Sequence, residues 1–439
     1  MTVTDSKQIN IFWFRRDLRL EDNNALFHAL NSGEEVLPIF IFDKLILDKL
    51  SKDDARVTFI HELLEKINSG LQKQSKSLAV FYSDPETVWK QLITKHHIKS
   101  VFINRDYEPY ARERDQKIYD LLQSKNIVLK SYKDQVIFER NDIIKADGSP
   151  YVVYTPFSKK WKEKFREIKL ENFSSEKLLH QISSHSYPFL SLNEIGFLRS
   201  NIKVVPFNIS ANLIGHYSET RDFPALAKTS MLGPYLRFGA ISIRQVVARA
   251  IKHEEETFLN EVIWREFFMQ ILWHFPHTST KSFKPQYDHI QWKNSNTKFQ
   301  KWCDGNTGYP LVDAGIRELN ATGYMHNRVR MVTASFLCKH LLIDWRWGEA
   351  YFASKLLDYE QSSNVGNWQW AAGSGVDAAP YFRIFNPTTQ IQKFDKEHRY
   401  IKKWVPELND FSYPKPIVDH KKARERCLKT YKKAIEEVH

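Results

Sequence analysis

The sequence predicts an α/β N-terminal domain built on a doubly wound parallel sheet, followed by a large all-α C-terminal domain. Two observations carry this. Through the first third, short β-branched or apolar runs alternate with helix-spaced apolar residues, the pattern of strands joined by helical crossovers. Beyond about residue 210 the strand signals stop and only long helical periodicities remain.

Taken in order, "INIFWF", "VLPIFIF", "LAVFY", "VFIN" and "IVLKSY" read as strands, and "ARVTFIHELLEKINSGLQ" reads as a helix because Phe59, Leu63, Ile67 and Leu71 stand four apart. The first strand runs into "RRDLRLEDNNAL" rather than a glycine-rich turn, so a pyrophosphate on a GxGxxG loop is not expected in this domain. From about residue 140, "ADGSP", the basic "SKKWKEKFREIK" and "SSHSYPFLSL" mix turn residues with charge, as a connector does. Helices are expected in "SIRQVVARAIKH", "FLNEVIWREFFMQILWHF", "VRMVTASFLCKHLLIDW" and the amphipathic "KKARERCLKTYKKAIEE". The expected division is therefore 1–140 for the α/β domain, 141–210 for a connector and 211–439 for the helical domain. "NVGNWQWAAGSG", residues 364–375, fits neither a strand nor an ordinary core helix, yet it carries two tryptophans among glycines and asparagines.

At 439 residues, 42% hydrophobic and 26% charged, the chain reads as a globular protein with a large core. Its net charge of +12 fits a polyanionic partner such as nucleic acid, or equally a solubilising surface. Three cysteines without close spacing indicate neither a disulfide framework nor a zinc cluster and fit a reducing, cytoplasmic compartment. The start, "MTVTDSKQIN", lacks the pattern of a signal peptide, and no apolar run reaches the roughly 18 residues that span a bilayer, so no membrane association is expected.

Polar groups converge in two of the predicted helices. Glu261, Trp264 and Arg265 stand at i, i+3 and i+4, and Asn327, Arg330 and Met331 repeat the arrangement, so two polar faces could enclose a pocket in a helical bundle. The plainer reading of either helix alone is a surface Arg/Glu pair beside a core residue. There is no HExxH, GxSxG, Walker loop or metal-spaced His/Cys cluster, so hydrolysis has no named players and no metal site is expected. The concentrated resource is aromatic: the chain has twelve tryptophans, and "WHF", "DWRW" and "NWQW" all fall in the helical half. Indole packs well, stacks on flat rings and is easily oxidised.

"WFRRDLRLEDNNAL" at 13–26, "TSMLGPYLRFGAIS" at 229–242, "NEVIWREF" at 260–267, "TGYPLVDAGIRELNATGYMHNRVRMVTASFL" at 307–337, "LLIDWRWGEAYF" and "NWQWAAGSGVDAAPYFRIFNP" together resemble the photolyase and cryptochrome flavoproteins. The chain is most similar to the class I photolyases that repair cyclobutane pyrimidine dimers in DNA. The resemblance spans essentially the whole chain. It implies an α/β antenna domain, a helical domain holding FAD whose reduced anionic form is active, UV-damaged DNA as the partner, no obligate protein partner and a monomer.

Residue by residue, the resemblance implies that Tyr217, Thr229, Ser230, Met231, Leu232 and Gly233 hold the FAD phosphates and ribityl chain. Phe258, Arg265, Asn327, Arg330, Asp358, Tyr359 and Glu360 would surround the flavin, with Asn364 at its reactive edge. Trp368, Trp345 and Trp292 would relay electrons from the surface to oxidised flavin. Glu261, Trp264, Arg265, Asn327, Met331 and Trp370 would receive the extruded dimer, Glu261 by a hydrogen bond, while Arg221, Arg328 and Arg383 would contact phosphates. Met331 stands where (6-4) photolyases carry a histidine, and Asn364 where many cryptochromes carry Asp or Cys. Both imply a light-driven carbon–carbon lyase acting on cyclobutane dimers, the alternative being a blue-light photoreceptor that uses the same flavin and relay. Gly233, Phe258, Tyr324 and Glu360 depart from the commoner Ser, Trp, Trp and Asp. Asn104 and Glu108 lie where some members bind a folate antenna, which leaves folate, deazaflavin and a second flavin open.

Overall fold

A computed structural model describes residues 8–436, so the opening residues read for a signal peptide lie largely outside it. The fold is an N-terminal parallel sheet with helices, followed by a helical C-terminal part, as expected. The chain divides into two compact units. The first holds residues up to Glu139 with Phe165–Phe207 and Leu232–Arg249, and the second holds Arg140–Lys164, Asn208–Met231 and everything from Ala250. The stretch 141–210, read as a connector, is thus shared between both units.

In the first unit, β1 (Ile9–Phe14), β2 (Val36–Asp43), β3 (Ala79–Ser83), β4 (Ile98–Asn104) and β5 (Val128–Tyr132) form one sheet in the order β3-β2-β1-β4-β5, all pairs parallel. Successive side chains leave a strand on opposite sides. Accordingly Phe12, Phe14, Phe40 and Phe42 enter one core, and Ile11, Trp13, Ile39 and Ile41 enter another. Both faces are covered, which is why these strands read as unbroken apolar runs. The Ala55–Gln72 helix is capped by Asp54, which accepts from the Arg56 N–H, and buries Phe59, Leu63, Ile67 and Leu71 on the spacing seen in the sequence.

The second unit has no strand among the described residues. Its main helices are Thr257–His274, Pro310–Thr322, Asn327–Ser335, Trp345–Lys355, Gln361–Ala372 and His420–Glu436. Three local readings change. Residues 364–372, read as neither strand nor core helix, lie in the Gln361–Ala372 helix, whose Trp368 is only 2% exposed. The glycines explain it: a Cβ on Gly366 would stand 2.3 Å from the Phe268 ring, and one on Gly348 would stand 2.1 Å from Trp368. Bare backbone lets these helices touch, so the tryptophan sits in a tight crossing rather than a loop. The basic stretch at 158–169 is likewise largely helical, within Tyr154–Glu167, where Trp161 is buried and donates its indole N–H to Glu266 at 2.7 Å. The helix read across 329–345 is interrupted by a π-turn, Phe336–His340. Cys303, Cys338 and Cys427 are all free and buried. Among the described residues no helix is long and apolar enough to cross a membrane, and no cluster of His, Cys, Asp or Glu is placed to hold a metal.

Candidate functional site

The Thr257–His274 helix turns Glu261, Trp264 and Arg265 to one side, as their spacing requires. Glu261 accepts from Arg221 at 2.5 Å, and Arg265 donates to Glu360 at 3.0 Å. Trp264 lies flat against Tyr154, with ring centres 3.7 Å apart and planes 5° apart. One turn earlier, Phe258 meets Tyr217 edge-on at 5.2 Å. Burial pushes the Glu261 carboxyl up from its ordinary value, a push that Arg221 and its hydrogen bond only partly offset.

His326 caps the Asn327–Ser335 helix by accepting from the Arg328 N–H, and burial lowers its own pKa to about 4, so the cap is neutral. Arg330 grips both oxygens of Asp358, at 3.2 and 2.9 Å, and donates from Nε to the Met325 carbonyl at 2.7 Å. A planar guanidinium held at three points presents a fixed charge. Arg328 pairs with Asp222 at 2.7 Å and lies over the Phe394 ring, with Met331 beside it at 3.8 Å, while Asn327 is exposed.

Asn364 donates both to the carbonyl and to the carboxylate of Glu349, at 3.1 and 2.8 Å, and the Tyr359 side chain bonds the same carboxylate. The amide nitrogen of Asn364 is therefore committed to the protein, which fixes the plane of the side chain. Thr229 shares a hydrogen bond with the Tyr324 hydroxyl at 3.1 Å, Ser230 accepts from the Asn208 N–H through its carbonyl, and Met231 takes a left-handed backbone with φ 53°. A non-glycine residue there stores strain that its surroundings must enforce. Leu232 and Gly233 belong to the first unit, where Gly233 opens the short Gly233–Arg237 helix.

The tryptophans lie in and against one core. Trp368 packs edge-on to Trp302 at 6.2 Å and to Phe352 at 5.0 Å. Trp345, 1% exposed, keeps a buried indole N–H with no acceptor among the described residues, and Arg346 stands over its ring. Trp292 and Trp370 are partly buried against the same core, and Trp292 meets Tyr431 edge-on at 6.0 Å. Arg383 is exposed, with its carbonyl accepting from Lys339.

Residues 10–176 match the family described as DNA photolyase, and residues 258–412 match the FAD binding domain of DNA photolyase. Over 97% of its length the chain is 37% identical to the deoxyribodipyrimidine photo-lyase of Vibrio cholerae, all of which is covered. The chain belongs to the photolyase/cryptochrome family. Among solved photolyases, a bacterial class III photolyase from Agrobacterium tumefaciens is 32% identical, covers 99% of each chain and superposes with a TM-score of 0.83. An archaeal photolyase from Sulfolobus tokodaii, solved with two FAD molecules, is 33% identical over 97% of this chain and 99% of that one, also with a TM-score of 0.83.

The helical unit of this photolyase-family chain suits a flavin. Tyr217, Glu261, Tyr324 and Glu349 all have pKa values raised by burial, yet each stays partly exposed. These are half-buried polar groups that keep contact with solvent. Arg330, 24% exposed beside Asp358, has the same character. Fixed guanidiniums, hydroxyls and aromatic edges are the donor set that a charged, flat cofactor needs. The two residues expected beside an antenna chromophore have partners within the protein. Asn104 is buried, gives both amide hydrogens to Asp17 and Asn23, and accepts from Ala25. Glu108 is held by Arg237 and Arg16.

Tyr154, Glu349 and Trp302 were not singled out from the sequence. Each reaches the site by a contact across distant sequence, and no local pattern announces it.

Proposed function

We propose that this chain repairs cyclobutane pyrimidine dimers in DNA using light, as a carbon–carbon lyase with FAD in its helical unit. The observation that carries it is the end-to-end match to a deoxyribodipyrimidine photo-lyase. FAD, when bound and reduced, would supply the light-driven one-electron chemistry that opens the cyclobutane ring with no net redox change.

The protein's task is geometry and electrostatics. Arg330 with Asp358, Arg265 with Glu360, Asn327, Phe258, Tyr359 and Asn364, oriented by Glu349, would hold the ring system. Tyr217, Thr229, Ser230 and Met231 would hold the phosphates and ribityl chain. Arg221, Arg328 and Arg383 take DNA phosphates. The first two are already paired with Glu261 and Asp222, so an arriving phosphate competes for a guanidinium and frees an acid. Glu261 then donates or accepts at the extruded dimer beside Trp264, Met331 and Trp370. Extrusion costs least for damaged bases that already stack badly. Trp368, Trp345 and Trp292 carry electrons inward from the surface. The protein acts as a monomer in the cytoplasm, a placement that the three unpaired cysteines support.

Illuminating the reduced protein with a dimer-containing oligonucleotide should restore thymines. Flavin photoreduction without restored thymines would sink the repair reading in favour of a photoreceptor. Glu261→Ala should lower repair per photon more than it weakens DNA binding. Trp368→Phe should abolish photoreduction while chemically reduced enzyme still repairs. Equal loss of both activities would remove Trp368 from its role.

A further inference from the structure

We propose that Tyr154 is a positioning residue for lesion recognition, fixing the angle at which the Trp264 indole meets the extruded dimer. This deepens the reading above and rests on Trp264 lining the lesion pocket.

Tyr154 covers one face of the indole almost in register, at 3.7 Å and 5°. Phe268 lies offset on the same indole, 5.5 Å away and tilted by 29°. Phe268 is itself backed by the bare backbone of Gly366. Two rings, one on another helix and one on the indole's own helix, thus pack against Trp264 and restrict how its side chain can turn.

Tyr154 is tied at both ends. Its backbone N–H donates to Asp377 at 3.2 Å, and its hydroxyl donates to the carbonyl of Asn260 at 2.8 Å, the residue before Glu261. Burial and the nearby Glu261 both push the phenol pKa up, so the hydroxyl keeps its hydrogen at any working pH. The Tyr154 ring is therefore referenced to the same helical turn that carries Glu261 and Trp264.

Core packing does not explain it. Tyr154 is only partly buried, whereas the Tyr154–Glu167 helix is anchored by the buried Phe157 and Trp161, the latter bonded to Glu266. A half-buried aromatic ring, stacked on one indole and bonded at both ends, spends its contacts on orientation.

The test compares Tyr154→Leu and Tyr154→Phe with the parent holoenzyme, measuring affinity for dimer-containing and undamaged oligonucleotides of one sequence. Tyr154→Leu should weaken dimer binding by about fivefold to tenfold, the range that an aromatic pair carries. Undamaged affinity and FAD content should stay at parental values, while the unfolding midpoint falls slightly as the stack and the Asn260 hydrogen bond are lost. Tyr154→Phe keeps the stack and should keep the parental ratio of the two affinities. An unchanged ratio in Tyr154→Leu overturns the inference, as does an equal fall in both affinities. Loss of the ratio in Tyr154→Phe assigns the effect to the hydroxyl and overturns stacking as its cause. A parent protein that fails to prefer dimers overturns the repair reading instead.

Discussion

In the first unit, Arg19 and Arg244 share Asp134 at 2.7 and 2.9 Å, Arg244 also holds Asp22, and none of these side chains is more than 8% exposed. In the second unit, Arg221 with Glu261 and Arg330 with Asp358 form equally short pairs but keep 17–34% of their side-chain surface. The chemistry is the same and the solvation differs. A sealed pair has no alternative partner, so it serves the fold, and losing one member strands the other in a dry place. A wetted pair can trade its partner more cheaply, which is the property that the proposed binding roles of Arg221 and Arg330 require.

The contrast can be broken at several points. The largest effect is expected from Asp134→Ala, which leaves two buried guanidiniums short of a partner and should cost about 3–5 kcal/mol in denaturant unfolding. A loss below about 1 kcal/mol would mean that the sealed network is no different from a surface one. Acid should act on the same group. Burial by itself would raise the Asp134 pKa, but Arg19 and Arg244 outweigh it and hold the carboxyl low. Its contribution is therefore complete above the ordinary carboxylate value of about 4 and is lost as pH falls through the depressed one. Next comes Gly348→Ala. Around Trp368 the second unit is tightly closed, so a methyl group 2.1 Å from that ring should cost about 1–3 kcal/mol by thermal or chemical melting. A neutral result would show slack around that tryptophan. The smallest change in stability should come from Asp358→Asn, within about 1 kcal/mol because the pair is wetted. The same variant should retain FAD about tenfold less well, read from flavin absorbance during titration of stripped protein. Destabilisation matching Asp134→Ala would erase the distinction between the units.

Much of this was legible in the residues, for identifiable reasons. Strands covered on both faces announce themselves as apolar runs, and the Ala55–Gln72 helix does so by its four-residue spacing. Glu261, Trp264 and Arg265 share a face because helical geometry requires it. The Gln361–Ala372 helix was not legible, since glycine and asparagine argue locally for a turn. What makes it a helix is contact with Phe268 at Gly366 and between Trp368 and Gly348, partners far off in sequence. The Tyr154–Glu167 helix was masked in the same way by its charge, with only Phe157, Ser158 and Trp161 buried. Asn104 could be located at the end of β4, but its engagement with Asp17, Asn23 and Ala25 depends on a loop after another strand, which no local pattern reveals.

The burial of every cysteine has a practical outcome. Desolvation lifts the Cys303 and Cys427 thiols to about 12 and raises Cys338 as well, so at neutral pH hardly any sulfur carries the negative charge that maleimides and peroxide attack. One cysteine introduced on the surface would then be the sole fast-reacting handle, and a dye could be attached there without first stripping the native ones.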